Sequence, residues 1–141
     1  MGLIYENITL KNAIDVGACI RGIIDEAQIR QVNIKAMVDT GADMLVINEE
    51  IRKGLGLELR GKKSIKLANE AAQTCQFTEP IEIHWKERHF ITQALVLDGL
   101  NEALLGAIPL EGLNVVVDPG KQQLVGAYGD EVIYKIMRAR T

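Results

Sequence analysis

Cysteine is scarce in this chain: Cys19 and Cys75 are its only two, too few for the disulfide framework of a small secreted scaffold. The opening Met-Gly-Leu-Ile-Tyr-Glu-Asn has neither the basic start nor the long apolar stretch of a secretory signal. Both thiols are therefore expected to be reduced, in a cytoplasmic protein. Aromatic residues make up only 4% of the sequence, and Trp85 and Phe90 have no basic cluster around them. They read as strand residues packing on a sheet, because a base-stacking platform needs both features. Basic excess is missing too: the formal charge is −3 with both signs mixed along the chain, so no DNA or RNA partner is expected. No window approaches the roughly eighteen consecutive apolar residues of a membrane span, so no membrane association is expected. His84 and His89 have no Cys or Asp at ligand spacing and read as flanking a hairpin turn; no metal and no cofactor is expected.

What the chain does have is enough apolar material for a core, 48% of 141 residues, and no Pro/Ser linker or low-complexity stretch to divide it. A single domain over residues 1–141 is expected, with its core over about 18–126 and terminal extensions that pack or dimerise. Short apolar runs separated by turn residues predict strands at Ile4 to Leu10, Asp15 to Ile24, Gln28 to Val38, Met44 to Ile47, Lys63 to Ala68 and Gln73 to Phe77. Further strands are expected at Pro80 to Trp85, His89 to Leu97, Val115 to Asp118 and Gln122 to Val125. Asn48 is placed to cap a helix over Glu49 to Leu55, and a second short helix is expected at Pro109 to Gly112. Asp130 to Arg140 fits a helix or a strand equally well. The fold class is thus all-β, a barrel or sandwich with one or two short helices.

One segment carries chemistry. Met37-Val38-Asp39-Thr40-Gly41-Ala42-Asp43 places a carboxylate in a tight turn directly after the alternating strand that contains Ile34, Ala36 and Val38. Gly41 is expected to adopt a backbone conformation closed to other residues, Thr40 sets a hydroxyl beside the acid, and Ala42 leaves room for close approach. Asp, Thr and Gly are also ordinary turn formers, so the motif alone is weak. Farther on, Leu104-Leu105-Gly106 places an apolar pair and a glycine ahead of the short helix at Pro109.

These two motifs, in this order, resemble the retropepsin-like aspartic proteases of the single-domain bacterial type. The run from Val115 to Val125, Val-Val-Val-Asp-Pro-Gly-Lys-Gln-Gln-Leu-Val, resembles the hairpin that closes that fold. The resemblance spans about residues 18–126 and implies an aspartic endopeptidase acting on an extended peptide or protein substrate. It also implies that Asp39 is catalytic and that Thr40 knits two active-site turns together across a dimer axis. Gly41 and Ala42 complete the active-site turn, with Gly41 offering backbone groups to the substrate.

Counting carboxylates requires a partner. Activating a water while polarising a carbonyl needs one ionised and one protonated acid side by side. No second Asp-Thr-Gly exists: Asp15-Val16-Gly17 and Asp118-Pro119-Gly120 lack the hydroxyl residue, and Asp118 reads as a turn former. A C2 homodimer supplies the missing carboxylate by bringing two copies of Asp39 together. A hairpin over about Ile65 to Phe77 corresponds to the flap that covers the substrate, with Ala68, Asn69 and Glu70 at its tip where many relatives carry glycine; Asn69 tolerates left-handed geometry and could make the turn there. Asp43 reads as an ion-pair partner or a surface acid. Two other classes stay open: a dimeric module of the same fold that grips a peptide without cutting it, and a purely structural β-domain.

Overall fold

The computed structural model describes residues 3–136. Its first half contains strand β1 (Tyr5–Asn12), helix α1 (Ala13–Ile20), β2 (Gln31–Val38), β3 (Leu45–Ile47) and α2 (Glu49–Gly54), followed by the hairpin β4 (Leu59–Lys66) and β5 (Ala72–Thr78). The second half contains β6 (Ile81–Trp85), β7 (Arg88–Thr92), β8 (Ala94–Val96), the two-residue β9 (Leu104–Leu105), α3 (Ala107–Gly112), β10 (Val115–Asp118) and β11 (Gln123–Gly126). Nine strands form one sheet in the order β4-β5-β8-β3-β9-β2-β1-β6-β7, and β10 pairs with β11 alone among the described residues. Among the described residues no helix is long and apolar enough to cross a membrane.

Alternation determines which face of the sheet is dry. On β1 the side chains of Ile8 and Leu10 are buried while Asn7 is exposed on the other face, and on β6 Ile81, Ile83 and Trp85 are buried. They meet Ala36, Leu45, Ile47, Leu105, Leu113 and Leu124 in the main core. Each fully buried leucine or isoleucine there contributes about 1.5–3 kcal/mol through the water it sheds. Glu6 faces this core as well, yet both of its oxygens are used: Oε1 accepts from the Trp85 indole at 3.1 Å and Oε2 from the Leu124 amide at 2.9 Å, which fastens β11 to β1 and β6.

Two expected strands are corrected. Asp15 to Ile24 is not a strand: Ala13–Ile20 is helical, because the Asn12 side chain accepts from the Ile14 and Asp15 amides while its amide donates to the Leu55 carbonyl at 2.9 Å. Asp15 then receives Arg30 through both guanidinium and backbone nitrogens, at 2.8 to 3.0 Å, which pins the helix against the start of β2. His89 to Leu97 is two strands. The chain leaves β6 after Thr92 and crosses to β5 and β3 at Ala94, whose amide donates to the Thr78 hydroxyl at 3.1 Å.

Other expectations hold with small shifts. Asn48 caps α2 by accepting from the Ile51 amide, the second short helix begins at Ala107, and His84 and His89 face each other across the β6–β7 hairpin with ring centroids 5.6 Å apart. Asp118 is a turn residue, accepting from the Gly120 and Lys121 amides. Cys19 and Cys75 are unpaired. Of the ambiguous C-terminal stretch, Asp130 lies in a turn, Glu131 makes an isolated antiparallel bridge to Tyr128, residues 132–136 run without regular structure, and residues 137–140 lie outside the described residues. Asn114 holds Ile133 by both its amide and its carbonyl, at 3.1 and 2.8 Å, and the Tyr134 hydroxyl donates to the Gly112 carbonyl.

Candidate active site

The strand β9 explains why the two motifs lie together. It lies parallel to β2, with Met37 opposite Leu104 and Val38 opposite Leu105, and antiparallel to β3, with Leu45 opposite Leu105. The chain therefore leaves β2 at Val38, makes its turn through Asp39 to Met44, and returns as β3 on the far side of β9. Asp39 begins this loop with its amide donating to the Leu105 carbonyl at 3.0 Å, and its own carbonyl accepts from the Ala42 amide at 3.1 Å. The loop is closed at its other end by α3, whose Ala107 and Ile108 amides donate to the Ala42 and Asp43 carbonyls at 2.8 Å each. Backbone groups that a helix start leaves unpaired thus hold the turn.

Gly106 makes that contact possible. A Cβ there would stand 2.7 Å from the Ala42 carbonyl oxygen and closer still to that of Met44, so no other residue lets α3 approach the turn. Gly41 has a different reason from the one anticipated. Its φ is not in the left-handed range; its amide instead donates to Asp39 Oδ1 at 3.0 Å, and an added Cβ would sit only 3.2 Å from that oxygen. The short side chain makes room for the carboxylate itself. Thr40 and Gly41 are exposed at the apex, Asp39 is half-buried, and among the described residues no cation or second carboxylate is hydrogen-bonded to Asp39. Asp43 is exposed and forms no ion pair among the described residues, leaving its carbonyl contact with Ile108 as its visible task.

The expected flap is the β4–β5 hairpin, longer than anticipated because β4 begins at Leu59. Ala68, Asn69 and Glu70 are exposed at its tip. The left-handed residue is Glu70, with φ 67°, and not Asn69, which instead accepts the Ala71 amide on its side chain at 3.0 Å. An Asx turn at Asn69 passes the unusual φ to the following residue.

A second apolar cluster runs across the hairpin and the strands beside it. Val46, Cys75 and Leu95 are buried in it, and Met44, Ile65, Phe77, Leu97, Leu100 and Leu104 pack around them half-buried. Register shows its order: Phe77, Leu95, Val46, Leu104, Met37 and Tyr5 are successive cross-strand partners, one row on the face of the sheet opposite the main core. Val46 and Ile65 are in this cluster, whereas Ile47 and Leu110 belong to the main core and Ile108 is half exposed. The row ends at Tyr5, whose hydroxyl donates to Glu102 Oε1 at 3.1 Å; that hydrogen bond, ahead of burial and the Glu102 charge, raises the phenol above its ordinary pKa. Burial likewise pushes the Cys75 thiol up, with the Asp98 charge adding to it, so Cys75 is a packing residue. Alternation in β2 marks the face of Met37, but only strand pairing brings Tyr5 and Glu102 beside it.

A mostly β chain with a carboxylate turn clamped by a second Leu-Leu-Gly strand is the fold of retropepsin-like aspartic proteases. Two solved structures share it: a retropepsin-like aspartic protease from Rickettsia conorii (23% identity over 83% of this chain and 77% of that one, TM-score 0.54) and the retroviral protease-like domain of Ddi1 from Leishmania major (14% identity, 89% and 88%, TM-score 0.56). EIAV protease complexed with the inhibitor HBY-793 matches at 26% identity over 56% of this chain and 75% of its own, with a TM-score of 0.45. No curated protein sequence matches. The chain belongs to the gag-polyprotein putative aspartyl protease family, whose profile matches residues 26–112 and so takes in both motifs and the flap hairpin.

Proposed function

We propose that the protein is an aspartic endopeptidase whose working unit is a C2 homodimer, with Asp39 of each copy forming the catalytic pair. The observation that carries this reading is the clamp on the Asp39 turn. The Leu105 carbonyl, which accepts from Asp39, and the Ala107 and Ile108 amides, which donate to Ala42 and Asp43, fix its backbone, and the Gly41 amide orients the carboxylate, an arrangement suited to holding an acid at a fixed point of a cleft. The exposed apex at Thr40 and Gly41 is where a twofold axis would bring a second turn. The two-stranded β10–β11 sheet supports association as well, since Val116 on it is 48% exposed and no other strand pairs with it among the described residues.

Two carboxylates sharing one site cannot both ionise cheaply, so over a middle range of pH the pair holds one proton, as aspartic-protease dyads do generally. The ionised member takes a proton from a bound water, whose oxygen attacks the peptide carbonyl carbon. The protonated member donates to the carbonyl oxygen as charge develops there, and the tetrahedral species collapses as the leaving nitrogen receives a proton. In this reading Thr40 ties the two turns, Gly41 presents backbone groups to the substrate, and the flap residues Ala68, Asn69 and Glu70 close over a peptide held as an added strand. Leu104 and Met37 form part of the floor, favouring apolar residues around the cut.

Cleavage of a diverse peptide library from acidic to neutral pH, by wild type and Asp39→Asn at matched concentration, tests this. The substitution keeps an oxygen for the Gly41 amide, so the fold and the dimer persist while cutting stops. Cuts made equally by both proteins would refute the mechanism. Binding without cutting by either would favour a peptide-gripping module, for which the glycine-free flap tip is the supporting feature. A mass of 15.6 kDa in solution at every concentration would remove the second carboxylate and the proposal with it.

A further inference from the structure

The cross-strand row on the flap side of the sheet is apolar from Phe77 to Met37 and then ends abruptly in a polar pair. Tyr5 is 38% exposed at the end of the row, and its hydroxyl reaches Glu102, which lies in the loop before β9, two positions ahead of Leu104. Because Tyr5 projects from the same face as its partner Met37, and Met37 from the same face as Leu104, the Glu102 carboxylate is held on that face too. The place is next to the Asp39 turn: the Ile4 carbonyl accepts the Val38 amide, and the Ala103 carbonyl accepts that of Met37. Glu102 is half-buried, and among the described residues no lysine, arginine or histidine pairs with it.

A half-buried carboxylate without a cation, at the end of an apolar track, leaves an oxygen available to a positively charged partner. The side chains that complete it are long ones, with an aliphatic stem for the track and a positive head for its end. An exposed tyrosine ring beside the acid gives a planar cation a second surface. Guanidinium meets both requirements better than ammonium, since it stacks and donates in a fixed plane.

We propose that Tyr5 and Glu102 form the end wall of a subsite that selects a basic side chain, arginine above lysine, with its stem along Leu104 and Met37 and its charged head against Glu102. This rests on the protease reading above and adds to it a substrate class: peptides with an arginine near the cut in an otherwise apolar sequence.

The test compares arginine with citrulline, its uncharged near-isostere, at each position in turn of a peptide that the enzyme cleaves. At one position kcat/KM favours arginine by about tenfold, the size of one added charge-assisted hydrogen bond. Glu102→Gln, which can still accept from Tyr5, brings that ratio to about one. Glu102→Lys, checked by its melting curve, reverses the preference towards glutamate over glutamine at the same position. Tyr5→Phe keeps the carboxylate and so keeps the arginine preference. An arginine-to-citrulline ratio near one at every position in wild type, or one unchanged in Glu102→Gln, overturns the proposal. If wild type cuts no peptide, the protease reading is what fails. The same labelled peptides titrated by fluorescence anisotropy then decide this inference: tighter arginine binding by wild type than by Glu102→Gln sustains it, and equal or absent binding overturns it.

Discussion

At the scale of single residues, Gly106 and Asp15 make the sharpest predictions. Gly106→Ala drives a methyl group into the Ala42 and Met44 carbonyls, which form part of a bonded turn and cannot move aside freely. It should lower unfolding free energy by about 1–3 kcal/mol in urea titrations and abolish cleavage, because α3 then stands off from the turn that holds Asp39. Asp15 has its carboxyl held below the usual range, chiefly by hydrogen bonds from the Arg30 side chain, with backbone bonding and charge adding to them against the cost of burial. A depressed folded-state pKa stabilises above the unfolded value and is lost as pH falls through the folded one, so this pair supports the fold at neutral pH and fails below about pH 4. Asp15→Asn should cost about 1 kcal/mol at neutral pH, the exposed guanidinium keeping the figure near that of surface pairs, and should flatten the acid limb of a stability–pH curve. Equal curves for both proteins would contradict this. The sequence displays Asp39-Thr40-Gly41 openly, but the need for Gly41 could not be read from it: the pressure comes from the Asp39 oxygen and not from a left-handed φ.

Among elements, the flap hairpin invites substitution at its tip. Glu70 sits at φ 67°, a conformation that costs a side-chain-bearing residue about 1 kcal/mol, and its ion pair with Lys66 is too exposed to offset much of that. Glu70→Gly should change stability by less than about 1 kcal/mol, since relieved strain and added unfolded-state freedom oppose each other. It should raise kcat where flap opening limits turnover, which pre-steady-state and steady-state rates on one peptide would separate. Strand existence was legible wherever alternation met turn residues, as in β1, β2, β6 and β10. Helix α1 was not legible, because it depends on Asn12 bonding Leu55 and on Asp15 bonding Arg30, contacts across distances that no local pattern reports. Splitting β7 from β8 also depends on a remote group, the Thr78 hydroxyl.

For the whole molecule, the homodimer reading makes activity depend on concentration. Specific activity should fall on dilution below the dimer dissociation constant, in step with the mass seen by sedimentation, while stability of the separate fold changes less. A dyad sharing one proton gives a bell-shaped rate profile, lost on the acid side when both members are protonated and on the alkaline side when both ionise; a profile with a single limb would argue for one acid acting alone. Much of the site's location was legible because the two motifs are short and their order is fixed. The register that aligns Tyr5 with Met37 and Leu104 was not, since it arises from three strands far apart in the chain. Insertion of β9 between β2 and β3 has a kinetic consequence. Contacts of such long sequence separation form late, after the entropy of closing the intervening loops has been lost. A nascent or truncated chain that ends before Leu104 can therefore display its aspartate, but only in a loose loop; the acid acquires a fixed position once the chain through α3 is present to hold it.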